Sequence, residues 1–96
     1  MKRGPLVESG IYLRWDALND FLGELAVLST DAKARELRMS HLNLHRARRG
    51  AGVGHRTIAE ILLGTARLAR RRGVEAPAFE DLFEIETPAR KAPASA

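Results

Sequence analysis

An all-α domain of about five short helices is what this sequence predicts, and three observations carry the prediction. Apolar residues recur three and four apart through most of residues 11–86. Helix-starting residues (Asp16, Ser29 or Thr30, Ser40) stand just before those periodic stretches, and Gly50 and Gly73 follow two of them. No two alternating runs flank a hairpin turn, so no strand pairing is expected.

Taken in order, residues 1–10 read as a flexible N-terminus punctuated by Gly4, Pro5 and Gly10, and "IYLRW" as a short extended lead-in. Asp16 is placed to cap "DALNDFLGELAVL", where Leu18, Phe21, Leu22 and Leu25 share a face. Gly23 inside that helix costs about 1 kcal/mol against alanine, which a close helix approach would explain. Ser29 or Thr30 caps the next helix, with Asp31 in its first turn, where a carboxylate suits the helix dipole. Ser40 caps "HLNLHRARR", which Gly50 ends, and "GAGVG" is a loop with Val53 pointing inward. In "HRTIAEILLGTARLARRR", Ile58, Ile61, Leu62 and Leu68 face one way until Gly73 stops the helix. After Pro77, "AFEDLFEI" reads as a short last helix presenting Phe79, Leu82 and Phe83. Residues 87–96, "TPARKAPASA", have the composition of a disordered tail, leaving 11–86 as one domain.

Composition narrows the function. With 45% hydrophobic and 5% aromatic residues, the 96-residue chain can build one modest aliphatic core. The absence of cysteine rules out a disulfide framework and a thiolate metal site. No apolar run approaches the roughly 20 residues that span a bilayer, and "MKRGPLVESG" lacks a signal peptide's apolar region, so a cytoplasmic protein is expected. The net charge of +4 understates the asymmetry. Between Leu37 and Arg72, Arg38, Arg46, Arg48, Arg49, Arg56, Arg67, Arg70, Arg71 and Arg72 face the single acid Glu60. From Val74 to Pro88 the sign reverses, with Glu75, Glu80, Asp81, Glu84 and Glu86 and no base. Such a basic block points to a polyanion, nucleic acid before acidic membrane. No nucleophile stands in a pattern with His41, His45 or His55, and "GAGVG" follows no strand, so neither an enzyme, a cofactor nor a small-molecule ligand is expected.

Two short helices joined by a tight turn, the second one basic, have the outline of a helix-turn-helix. More specifically, "LSTDAKARELRMSHLNLHRARRG" is similar to the helix-turn-helix of the phage lambda-repressor and Cro-like (XRE) family. The matching positions are Ser29 or Thr30 as cap, Ala34 at the helix crossing, Leu37, Met39, Leu44 and Ala47 as packing residues, Ser40 at the start of the recognition helix and Gly50 at its close. "GVGHRTIAEILLGTARL" resembles the family's fourth helix and "FEDLFEI" its common ending, so the likeness runs from Trp15 to Ile85. Two positions depart from the pattern. Arg38 stands where the family usually has a left-handed glycine, a substitution costing about 1 kcal/mol unless the turn changes shape. Lys33 stands at a usually apolar position, where its stem can cover the core while its amine reaches water.

The resemblance implies a compact five-helix domain that reads the major groove with helix 40–49, and a homodimer on a palindromic operator. It makes His41, Leu42, Asn43 and Arg46 the base-contacting residues. The residue types fit: arginine pairs with guanine O6 and N7, asparagine with adenine or a phosphate, and leucine with a thymine methyl. A rotated helix would instead bury Leu42. Phosphate contacts are expected from Ser40, His45, Arg49, Gly50, Gly54, His55, Arg56 and Thr57, some through side chains and some through backbone N–H groups. His41 and His45, one turn apart, have the spacing of zinc ligands but lack a third, so no metal is expected. Arg48 reads as a phosphate contact or a solvated charge, and Arg70–Arg72 chiefly as cations suited to a helix C-terminus. The expected function is a sequence-specific, double-stranded DNA-binding transcriptional regulator, a small repressor of Cro or phage-immunity type. Its alternatives are an autoregulating antitoxin, a phage excision or architectural factor, and a protein-binding module that kept the fold and lost DNA.

Overall fold

The computed structural model describes residues 10–86, which run β1 (Ile11–Leu13), α1 (Trp15–Glu24), α2 (Thr30–Leu37), α3 (His41–Arg48), α4 (His55–Arg72), α5 (Phe79–Leu82) and β2 (Phe83–Ile85). Most of the expected flexible N-terminus, residues 1–9, and the whole expected tail, 87–96, lie outside the described residues. Helices dominate, yet the expected absence of strand pairing is overturned. β1 and β2 pair antiparallel, with Ile11 opposite Ile85 and Leu13 opposite Phe83. Bonds from Arg14 N to Leu82 O and from Glu86 N to Gly10 O, both 2.7 Å, continue the ladder past the strands. "AFEDLFEI" is therefore part helix and part strand: it turns extended at Phe83 (φ −134°, ψ 151°). Strand alternation sends the Phe83 ring into the core at 2% exposure. It leaves Glu84 outside, where its carboxylate meets Arg14 at 3.3 Å.

Two expectations about α1 also change. Asp16 lies in the first turn rather than capping, because the helix begins at Trp15 after Arg14, which offers no side-chain cap. The helix stops at Glu24, so Leu25 packs from the turn beyond it.

Helices α1 to α4 all end in the same hydrogen-bonded turn. A residue of positive φ donates to the carbonyl three back, and its successor donates to the carbonyl five back. The pairs are Ala26 to Gly23 and Val27 to Leu22, Arg38 to Arg35 and Met39 to Ala34, Gly50 to Ala47 and Ala51 to Arg46, and Gly73 to Arg70 and Val74 to Ala69. Gly50 and Gly73 adopt that conformation freely, whereas Ala26 (φ 65°) and Arg38 (φ 57°) hold it despite a Cβ. The turn normally made by glycine thus forms around Arg38 with its usual shape. Arg38→Gly and Ala26→Gly are each expected to raise stability by up to about 1 kcal/mol. The gain should register as a higher urea midpoint at unchanged slope.

The core forms where the helical spacing put it. Leu18 and Leu22 of α1, Ala34 and Leu37 of α2, Leu44 and Ala47 of α3, and Ile61 and Leu68 of α4 are all buried, as are Leu82 and Phe83. Val53 is buried too, and its N–H reaches Ile11 O at 2.9 Å. Phe79 stacks on Phe83 with ring centroids 5.1 Å apart, so Phe79, Leu82 and Phe83 serve the chain's own core. The close helix approach expected at Gly23 is elsewhere. A Cβ at exposed Gly23 would meet nothing within 4 Å, while one at buried Gly64 would lie 2.7 Å from Leu37 Cδ2 and 3.0 Å from Leu37 Cα. Helix α4 therefore rests on the backbone of α2 at Gly64. Among the described residues, no helix is long and apolar enough to cross a membrane.

Candidate nucleic-acid interface

The site grows from two serine caps. Ser29 Oγ accepts from Ala32 N at 3.0 Å and Ser40 Oγ accepts from Asn43 N at 3.1 Å, fixing where α2 and α3 begin. Ser29, rather than Thr30, is the cap of α2. Only Arg38, Met39 and Ser40 link the two helices, and Met39 is buried beneath the turn. With Leu44 and Ala47 turned inward, a rotation of 100° per residue sends Leu42, His45 and Arg46 outward. All three are exposed, as are His41 at the start of α3 and Arg49 just past its end. Leu42 is 56% exposed, which excludes the rotated helix that would have buried it. Asn43 departs from the expected outward face: it is half-buried on the flank of α3.

The opposite flank carries an arrangement that sequence reasoning missed. The Arg48 guanidinium lies 5.0 Å from the centroid of the Trp15 ring and the Lys33 ammonium 5.6 Å from it. Lys33 Nζ also donates to Leu28 O at 2.9 Å, so its amine is held by the fold rather than given to open water. Trp15 thus joins α1, α2 and α3 through two cations, each such contact contributing about 0.5–1 kcal/mol at an exposed site. The only signal in the sequence is a lone tryptophan among basic helices. Arg48, read earlier as a phosphate contact or a solvated charge, stacks on Trp15 instead. Arg48→Ala is expected to cost about 1 kcal/mol of stability, measured by urea unfolding.

A second missed contact lies at the start of α3. His41 Nε2 is 3.2 Å from Asp31 Oδ1, with both side chains well exposed, so the first turn of α2 orients the first residue of α3. A carboxylate does therefore accompany the histidine pair. Among the described residues, however, no group of three or more His, Asp or Glu side chains is placed to hold a metal ion.

Around this helix lie the candidate phosphate contacts. Arg46, Arg49, Gly50 and Ala51 line a shallow concavity at the end of α3. Gly54 precedes α4 without a side-chain cap, so the N–H groups of His55, Arg56 and Thr57 begin the helix with no acceptor inside it. Arg56 Nε stands 3.7 Å from Glu60 Oε2, a loose pair on an arginine otherwise in solvent. Other cations of the basic block are structural. Arg67 donates to Glu36 O at 3.0 Å and Arg71 to Glu36 Oε1 at 2.6 Å, tying α4 to α2. Among the described residues, the ion pairs of 4.0 Å or less engage Arg14, His41, Arg56 and Arg71 and leave Arg46 and Arg49 outside them.

Comparison of the chain with protein-family models, curated proteins and solved structures returned no match.

Proposed function

We propose that the protein is a sequence-specific, double-stranded DNA-binding regulator of lambda-repressor and Cro-like (XRE) type, a small repressor that lays α3 in the major groove. The observation that carries this reading is the outward face of α3. A capped short helix, packed through Leu44 and Ala47, presents Leu42, His45 and Arg46 together, with His41 at its start and no acid on that face. Such a face offers an arginine for guanine and a leucine for a thymine methyl, side by side. Support also comes from its surroundings. The bare amides at the start of α4 and the concavity of Arg46, Arg49, Gly50 and Ala51 suit the phosphates that flank a groove. His41, steadied by Asp31, addresses a base at one end of the helix. Ser40, whose hydroxyl is taken up by the cap, is left with a positioning role. Asn43, on the flank, serves a phosphate better than a base.

Selection of bound duplexes from a random pool tests the reading, repeated with Arg46→Ala across a salt titration. The expected result is an enriched motif whose guanine preference at one position relaxes by about 1–3 kcal/mol in the variant. A palindromic motif would identify a dimer. No enrichment, with affinity gone at moderate salt, would leave charge-driven contact alone and end the specific-regulator reading.

A further inference from the structure

Helix α4 has a second apolar seam that the core does not use. Ile61, Gly64, Thr65, Leu68 and Ala69 face inward. Roughly opposite them, Ala59, Leu63 and Ala66 follow one another at helical spacing, with Leu62 at the border. Leu63 is 64% exposed and Ala59 is exposed, while Leu62 and Ala66 are half-buried. Exposed Arg56 and Arg70 close the two ends of the seam, 14 residues or about 21 Å apart along a helix. Small residues on both sides of one leucine let a partner helix approach closely. The carboxylate of this helix, Glu60, lies on the flank beside Arg56, not on the seam.

Charge decides among the occupants. A second copy packed antiparallel about Leu63 sets Arg56 against Arg70, and a parallel copy sets each arginine against itself. The segments outside the described residues are also basic, with Lys2, Arg3, Arg90 and Lys91 against Glu8. We propose that this seam docks an acidic amphipathic helix of a partner protein, its apolar face on Leu63 and its carboxylates on Arg56 and Arg70. The face differs from that of α3, so the inference stands whether or not α3 reads DNA.

The probe is a synthetic helical peptide with a leucine seam and glutamate flanks, compared with glutamine- and lysine-flanked analogues. Binding is read by anisotropy, and its location by amide chemical shifts of the intact chain. The glutamate peptide should bind about tenfold more tightly than the glutamine analogue, with the lysine analogue weakest. Its shifts should cluster on Ala59, Leu63, Ala66 and Arg70, and Leu63→Glu should abolish binding while Gly23→Ala leaves it unchanged. Equal affinity for the three peptides, or shifts centred on Leu42 and Arg46, would overturn the proposal. So would self-association by light scattering that Leu63→Glu removes, which would make the occupant a second copy. Duplex DNA that shifts the Leu63 face would likewise overturn it in favour of nucleic acid.

Discussion

Gly64→Val is expected to leave the domain largely unfolded at physiological temperature, whereas Gly23→Ala is expected to make it slightly more stable. Both glycines lie within helices, yet they meet different surroundings. A Cβ at Gly64 would lie 2.7 Å from a Leu37 methyl and 3.0 Å from the Leu37 Cα. The methyl can rotate away; the Cα cannot move without shifting α2 and, through the short Arg38–Ser40 link, α3. Overpacking of this kind costs about 1–3 kcal/mol for a methyl-sized excess, and valine adds more. Alanine at position 64 gains up to about 1 kcal/mol in helix propensity, so Gly64→Ala should be a milder, net-destabilising change. A domain of this size loses roughly 4–8 °C of Tm per kcal/mol, so thermal unfolding resolves the series. At Gly23 there is no clash to offset, and alanine should add up to about 1 kcal/mol. A Gly64→Val protein as stable as wild type would mean that α4 does not rest on Leu37, and the orientation of α3 would have to be explained another way.

That contrast shows how far the sequence was legible. Spacing identified Leu37, Met39, Leu44 and Ala47 as packing positions, and all four are buried. Cap chemistry located Ser40 and Gly73, because a hydroxyl accepting from a helix amide and a left-handed glycine are local requirements written into local residues. Contacts between distant residues left no such mark. Gly23 and Gly64 look alike along the chain, and only the packing of α2 against α4 separates them. The strand pair was invisible for a related reason. Each strand has three residues, too few to show alternation, and Phe79, Leu82 and Phe83 are spaced like a helix face although the last of them is extended. At the candidate interface, the exposed positions of α3 followed from its period, with Asn43 the exception because it sits at the border between the faces. Neither the stacking of Lys33 and Arg48 on Trp15 nor the pairing of Asp31 with His41 was legible, since each joins side chains from different helices.

The double substitution Arg46→Ala, Arg49→Ala is expected to weaken duplex binding severely while leaving the fold as stable as before, or more so. Both arginines are exposed, both stand outside the ion pairs of the described residues, and both border the concavity at the end of α3. In the free protein they mainly repel the cations around them, so removing them should ease that strain. In the complex each neutralises a phosphate or meets a base. Loss of two phosphate contacts would lower the slope of log K against log salt by about 1.8, at roughly 0.9 per contact on B-form DNA. Arg48→Ala provides the opposite pattern, because its guanidinium is stacked on Trp15. It should lower stability and leave the salt slope nearly unchanged. Folding and binding thus respond with opposite signs to arginines only one or two positions apart, which no uniform charge effect can produce. Equal losses of slope from all three positions would reduce α3 to a diffuse basic surface. The division of labour between its outward face and its Trp15 flank would then fail, and with it the reading of α3 as a helix that addresses particular bases.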